Sequence, residues 1–312
     1  MSILIDSATR VIVQGITGGQ ARFDTQWSLA YGTRVVAGVT PGKGGEMVHG
    51  VPVFDSVKTA LESHPADMSV IYVPPQSVKQ AVLEAIKSAL KLLVVTAEYV
   101  PVHDALYAFS AALEAGVKIV GCNTNGIISP GKCKVGGVGG IKPDEIFIPG
   151  SIGICSRSGG MTAEIALTLR SAGFGISTSV GMGGDAITGL SMAEIVTLFD
   201  EDPETEAVVI FGEPGTRNEQ EVAELLKEGR VTKPLIALLA GGFQERYPKG
   251  QSFGHAAAMI SSDEDTVTAK SQALSRVGAL VADSLDDVPA LLRIALDKQE
   301  QYKQAKMTVH TQ

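Results

Sequence analysis

No apolar run in the chain approaches the roughly 20 residues that a bilayer-spanning helix needs. The opening residues, Met1-Ser2-Ile3-Leu4-Ile5-Asp6, carry no basic region followed by an apolar stretch, so the sequence predicts neither a membrane protein nor a secretory leader. Basic blocks are missing as well. The net charge is −8, which argues against a nucleic-acid surface. Cysteine is scarce: Cys122, Cys133 and Cys155 form no C-x-x-C pair. An odd number at scattered spacing suits free thiols in a reducing compartment, not a disulfide frame or a zinc site. The expectation is a cytoplasmic protein with no resident metal. A single Trp against 35 glycines, with 45% hydrophobic residues, fits an α/β protein rich in tight turns between strand and helix. At 312 residues there is room for two domains, each with its own core.

Short apolar runs alternate with helical periodicity. Strands are expected at Arg10 to Gln14, Val35 to Val39, Met68 to Val73, Leu92 to Thr96 and Lys118 to Val120, with helices near 21–31, 77–90 and 105–114 between them. Residues 126–150 are rich in glycine and proline and show no sustained period, which reads as a connector. The alternation then restarts, with strands at Ile152 to Cys155, Ile176 to Val180, Ala207 to Phe211, Leu235 to Leu239 and Ala279 to Val281. Helices are expected near 162–172, 192–199, 218–228, 266–276 and 285–300. This pattern predicts two doubly wound domains of parallel βαβ units, at 1–125 and 151–300, with a polar, frayed tail at 301–312.

Three stretches carry chemistry. Ser156-Arg157-Ser158-Gly159-Gly160 stands between a buried strand and a helix start. The first amides of a helix lack intrahelical partners and its dipole is positive there, so a glycine-rich turn at that point suits a phosphate. An ordinary Ser-capped turn has the same composition. Gly15-Ile16-Thr17-Gly18-Gly19-Gln20 follows the first strand like a dinucleotide turn, although it is not a clean G-x-G-x-x-G. An acid is expected after the second strand of a dinucleotide fold. This chain has Thr40-Pro41-Gly42-Lys43 instead, which suits a phosphorylated adenosine such as that of CoA better than a free ribose. Last, His255 lies among small residues in Phe253-Gly254-His255-Ala256-Ala257, and Glu213 follows the strand Ala207 to Phe211. A neutral imidazole is a nucleophile toward phosphorus, and a carboxylate can orient it. A lone loop histidine and a solvated loop acid remain the alternatives at this point.

Together with Gly38-Val39-Thr40-Pro41-Gly42-Lys43-Gly44-Gly45, Gly183-Gly184-Asp185 and Gly212-Glu213, these segments resemble the succinyl-CoA synthetase α subunits of the nucleoside-diphosphate-forming acyl-CoA ligases. The likeness runs to about residue 292. It implies a Rossmann-like CoA-binding domain followed by a flavodoxin-like ligase domain. It also implies that Thr17, Gly18, Gly19, Gln20, Lys43, Thr96, Ala97 and Glu98 contact CoA. By the same resemblance His255 carries a phosphoryl group, Glu213 supports it, and Ser156, Arg157, Ser158, Gly159 and Gly160 bind phosphate. ATP or GTP with Mg²⁺ would sit on an ATP-grasp β subunit in a hetero-oligomer. The carboxylic acid would face Asn123, Thr124, Asn125 and Ala163. The family usually has Tyr at position 163 and Asn-Cys-Pro-Gly where this chain has Asn123-Thr124-Asn125-Gly126. Ser158 to Met161, Lys227 to Arg230 and Phe253 to His255 look instead like ATP-citrate lyase and citryl-CoA synthetase. A citrate- or malate-activating subunit, or a CoA-binding regulatory subunit without full catalysis, are the alternatives. An NAD(P)-dependent dehydrogenase would leave His255 without a role.

Overall fold

The computed structural model describes residues 2–309 and contains two seven-stranded sheets. The first holds β1 (Arg10–Gln14), β2 (Arg34–Val39), β3 (Met47–Val48), β4 (Val51–Phe54), β5 (Met68–Ile71), β6 (Leu92–Val95) and β7 (Lys118–Gly121). Its order is β3-β4-β2-β1-β5-β6-β7, parallel throughout except for the β3–β4 hairpin. Helices α1 (Gly19–Ala30), α2 (Val57–Ser63), α3 (Val78–Lys87) and α4 (Val102–Glu114) connect its strands. β5 and β6 are buried at every residue, as the continuous apolar runs of a parallel sheet covered on both faces should be.

The second sheet begins inside the stretch that looked like a connector. β8 (Gly126–Ser129) and β9 (Cys133–Val135) form an antiparallel hairpin, and β8 pairs antiparallel with β11 (Ile176–Gly181). A single-turn helix, α5 (Pro143–Ile146), follows. Strands of three and four residues are too short to show a period. Their crossing also depends on glycine: a Cβ on Gly126, which has φ +112°, would lie 1.9 Å from the Val135 carbonyl oxygen. The rest of the sheet is β10 (Pro149–Ser156), β12 (Ala207–Gly212), β13 (Leu235–Leu239) and β14 (Leu280–Ala282), all parallel to one another and to β11, in the order β14-β13-β12-β10-β11-β8-β9. Around it lie α6 (Gly159–Ser171), α7 (Met192–Glu201), α8 (Asn218–Lys227), α9 (Val267–Arg276) and α10 (Val288–Val309). α10 carries the backbone helically through the first nine residues of the expected tail, and 310–312 lie outside the described residues. Among the described residues no helix is long and apolar enough to cross a membrane.

Each sheet reverses its strand order once, between β1 and β5 in the first and between β10 and β12 in the second. Doubly wound sheets open a crevice at such points, at the carboxyl ends of the strands. The two carboxyl edges are joined. Gly189 and Leu190, from the segment after β11, donate to the carbonyls of Gly121 and Ile119 on β7 (2.8 and 2.7 Å). Apolar packing is continuous too, since Val13, Val94 and Val120 share one core cluster with Val180, Phe199 and Val208.

Phe199 of α7 is fully buried against β10, where a Cβ on Gly153 would come within 2.6 Å of its ring. Phe199→Ala should therefore leave a cavity that its neighbours cannot fill and cost about 3–5 kcal/mol. Urea unfolding followed by circular dichroism checks this as a lower midpoint with an unchanged slope.

Candidate active site

The turn from Ser156 to Gly160 leaves β10 at the carboxyl edge of the second sheet. Ser156 Oγ donates to the Ser158 carbonyl (2.7 Å) and accepts from the Ser158 amide (3.1 Å), and Ser158 Oγ caps α6 by accepting from the Met161 amide (3.5 Å). Both serine hydroxyls of the turn are thus engaged within it. What the turn presents is backbone: the amides of Gly159 and Gly160 stand in the first turn of α6, ahead of the intrahelical ladder and at the positive end of its dipole. The Arg157 side chain is buried, and its Nη2 donates to the carbonyls of Gly184 and Asp185, each at 3.2 Å. It ties this turn to the loop after β11. Burial pulls the Arg157 pKa down, and the nearby Glu213, Glu219 and Asp185 carboxylates work against that.

The Gly183–Gly184 loop is a floor for His255. A Cβ on Gly184 would lie 2.4 Å from two atoms of the imidazole, so only glycine lets the ring rest there. Glu213, just past β12, puts both carboxylate oxygens 2.9 Å from His255 Nδ1. The imidazole is 29% exposed and the carboxylate 15%. A carboxylate can only accept, so Nδ1 carries the proton, and the neutral ring presents the Nε2 lone pair. The hydrogen bond that Nδ1 donates to Glu213 raises the His255 pKa. Burial and Arg157 oppose that, while the charge of Glu98 adds to it. Glu98 belongs to the set read for CoA, so a charge of the first domain acts on the histidine. Burial lifts the thiols far from their ordinary range, Cys122 to about 12 and Cys133 to about 11, and Cys155 higher still. None of the three supplies a thiolate nucleophile at neutral pH.

The remaining residues of the first domain lie along its carboxyl edge. Gly15 has φ +81° and packs against the Tyr72 backbone, so the turn after β1 needs glycine there. Gly18 is the N-cap of α1 without any side-chain cap, and Gly18, Gly19 and Gln20 are exposed. This bare turn fits a phosphate. Thr17 bonds Thr40 (3.2 Å), Gln20 bonds Asp24 (3.0 Å), and exposed Lys43 pairs with Glu46 (3.0 Å). Thr96 Oγ1 donates to the Ile71 carbonyl (3.0 Å), and the Ala97 carbonyl accepts from the Asn123 amide (2.9 Å).

The segment Asn123–Asn125 joins the two domains. Burial holds the Asp185 carboxyl above its ordinary pKa, and the nearby Asn123 side chain works against that. Thr124 Oγ1 donates to the Gly181 carbonyl and accepts from the Gly126 amide (2.8 Å). Asn125 Nδ2 donates to the Gly159 carbonyl and to Thr162 Oγ1, both at 3.0 Å, from a notch where a Cβ on Gly181 would strike its Oδ1. Ala163 follows Thr162 in α6, just past its first turn, and is half-buried. The structure therefore gathers Asn123 to Asn125, the Ser156–Gly160 turn, Glu213 and His255 at one edge. Thr17, Gln20 and Lys43 bond only within their own domain.

Sequence reasoning missed two groups beneath Glu213: Glu219 of α8 and Lys270 of α9, both fully buried. Lys270 falls on the apolar face of α9 one turn before Leu274. A charge on an apolar stripe is a readable signal. Among the described residues no three His, Cys, Asp or Glu side chains are grouped to hold a metal.

Residues 6–99 match the CoA binding domain family, and residues 155–280 match the CoA-ligase family. The chain is 46% identical over 292 residues to the succinate–CoA ligase [ADP-forming] subunit alpha 2 of Archaeoglobus fulgidus, covering 94% of this chain and 99% of that one. The chain belongs to the succinate–CoA ligase α-subunit family. Within this family of acid–thiol ligases the substrate varies. The ADP-forming sulfoacetate–CoA ligase subunit SqwL of Acholeplasma sp is 44% identical over 295 residues, covering 94% and 97% of the two chains. The solved ATP citrate lyase of Methanothrix soehngenii, in complex with citrate and coenzyme A, superposes with a TM-score of 0.88 at 25% identity. It covers 96% of this chain, which spans about half of that longer one (52%). The Rossmann-like and ligase folds implied by the sequence are those of the family.

Since the folded His255 pKa is raised, its pair with Glu213 adds stability that is full below the unfolded pKa and fades as pH rises through the folded one. Glu213→Gln should lower the His255 midpoint and remove that low-pH contribution. Nitrogen-15 histidine NMR titration of the full chain, with unfolding measured on both sides of neutrality, checks both effects.

Proposed function

We propose that the chain is the α subunit of a nucleoside-diphosphate-forming carboxylate–CoA ligase in which His255 Nε2 carries the phosphoryl group. The observation behind this reading is the two-oxygen contact of Glu213 on Nδ1, made beside a helix-start turn of bare amides, in a chain of this family. Glu213 fixes the tautomer and offsets the charge that the ring gains when Nε2 bonds phosphorus. The amides of Gly159 and Gly160 would hold the phosphoryl oxygens as charge shifts among them.

In the first step Nε2 displaces the nucleoside diphosphate from the γ-phosphorus of ATP or GTP, forming N–P as P–O breaks. In the second, a carboxylate oxygen of the acid attacks that phosphorus, giving an acyl phosphate and restoring the neutral imidazole. In the third, the sulfur of CoA attacks the acyl carbon, inorganic phosphate leaves, and the thiol proton goes to phosphate or water. The nucleotide and its Mg²⁺ would reside on an ATP-grasp β subunit in a hetero-oligomer. Thr17 to Gln20, Lys43 and Thr96 to Glu98 would hold CoA across the first domain. The nearness of Glu98 to His255 supports bringing the thiol there. Free, buried cysteines suit a reducing cytoplasm.

For the acid we infer a small carboxylate with a second anionic group, framed by Asn123, Thr124, Asn125 and Ala163. Support comes from the Asn125 amide against the first turn of α6 and from relatives named for succinate and sulfoacetate. Alanine at 163 leaves space and removes the hydroxyl that the family tyrosine would supply.

Mixed with its partner subunit and γ-labelled nucleotide, the chain should take up acid-labile, base-stable label, and His255→Ala should fall to background. Label that survives this substitution overturns the assignment. Ala163→Tyr should shift kcat/KM toward succinate over bulkier or hydroxylated acids by about 10-fold or more. A panel of succinate, sulfoacetate, malate and citrate, run on both chains, reads the shift.

A further inference from the structure

Glu213 sits in a loop, and a loop carboxylate stays on one ring nitrogen only if its backbone is held. Here both backbone groups of Glu213 are held by buried side chains. Its amide donates to Glu219 Oε1 (3.2 Å), and its carbonyl accepts from Lys270 Nζ (2.7 Å). Lys270 also donates to the Gly215 carbonyl and to Glu219 Oε2. The three protons of the ammonium therefore have three acceptors, and both carboxylate oxygens of Glu219 are engaged.

The arrangement is specific in space. Gly212 gives Glu219 its approach, since a Cβ there would lie 2.1 Å from Oε1. Gly215, with φ +73°, lies against the Ala257 carbonyl of the histidine loop, so the clamp also sets where that loop rests. Both charges are fully buried. A buried ion pair gives little net stability, because desolvation of the two charges offsets their attraction. What this pair does supply is a fixed position for three backbone groups of the loop, the amide and carbonyl of Glu213 and the carbonyl of Gly215.

We propose that Glu219 and Lys270 are positioning residues for His255, acting through the backbone of Glu213 to keep both of its carboxylate oxygens on Nδ1. Neither touches the imidazole. The pair holds the loop, the loop aims the carboxylate, and the carboxylate fixes the ring with Nε2 outward. The catalytic meaning of this clamp rests on the phosphoryl-carrier reading of His255, but the clamp itself is read from the imidazole alone.

The test is nitrogen-15 histidine NMR on the full-length chain, with His255 assigned by His255→Ala and Glu213→Gln as the reference for a lost carboxylate. Removing one partner alone would strand a buried charge, so the variant is the double substitution Glu219→Gln and Lys270→Met. Near-ultraviolet circular dichroism confirms that it is folded. The expected result is loss of the hydrogen-bonded Nδ1 proton signal and a His255 midpoint moved most of the way to that of Glu213→Gln. Arg157 and Glu98, the other charges near the ring, are unchanged in every variant. A folded double variant that titrates like the wild type overturns the proposal. Should the double variant not fold, Glu219→Asp decides. It keeps the charge, but a carboxylate one methylene shorter cannot reach both Lys270 and the Glu213 amide, so an unchanged His255 titration there also overturns it. Phosphorylation by partner and nucleotide is measured separately. Its absence in the wild type would remove the carrier role and leave the clamp standing.

Discussion

Two carboxylate oxygens on one imidazole nitrogen, each at 2.9 Å, are the contact around which the second domain is arranged. The contact needs a ring brought down onto backbone, which only Gly184 permits, and a carboxylate held at the end of β12. Arg157 fixes the Gly184–Asp185 carbonyls from below, and the charged pair of α8 and α9 fixes Glu213 from behind. Burial is graded, with Arg157, Glu219 and Lys270 buried and the imidazole the most exposed of the set.

The carboxyl edges of the two sheets are brought together by the way the domains join. The chain leaves β7, passes through Cys122 to Asn125, and enters β8, so the carboxyl edge of the first sheet is tied covalently to the second. Backbone bonds from Gly189 and Leu190 to β7 close the joint from the other direction. Asn125 reaches across to the start of α6 in the second domain, and the Asn123 side chain lies near enough to Asp185 to favour its charged form. The exposed carboxyl edge of the first domain and a half-buried histidine end up near enough for Glu98 to influence the ring.

The core strands were legible because parallel strands covered on both faces are continuous apolar runs, as in Leu92–Val95 and Ala207–Gly212. The edges were not. Met47–Val48 and Cys133–Val135 are too short for a period, and their pairing depends on glycines whose partners lie far along the chain or across a turn. At the site, motif residues such as His255, Glu213 and the Ser156–Gly160 turn were visible as residue types in a telling order. Arg157 was visible as a charge beside a phosphate turn, but not as a buried tie between loops. The serines were visible as hydroxyls, but not as hydroxyls already bonded within their own turn.

By itself the sequence determined the class of fold, the order of its core strands, and the chemical groups available to the site. Those follow from local periodicity, from turn residues and from composition, all of which are properties of neighbours in the chain. The tertiary structure decided which of those groups act together. Glu213 meets His255 across 42 positions, Lys270 meets Glu213 across 57, and Asn125 meets Gly159 across 34. No local pattern encodes such distances. Helix packing on the second sheet sets them, because once both faces are covered, buried charges such as Lys270 and Glu219 have no partner but each other and the backbone between them.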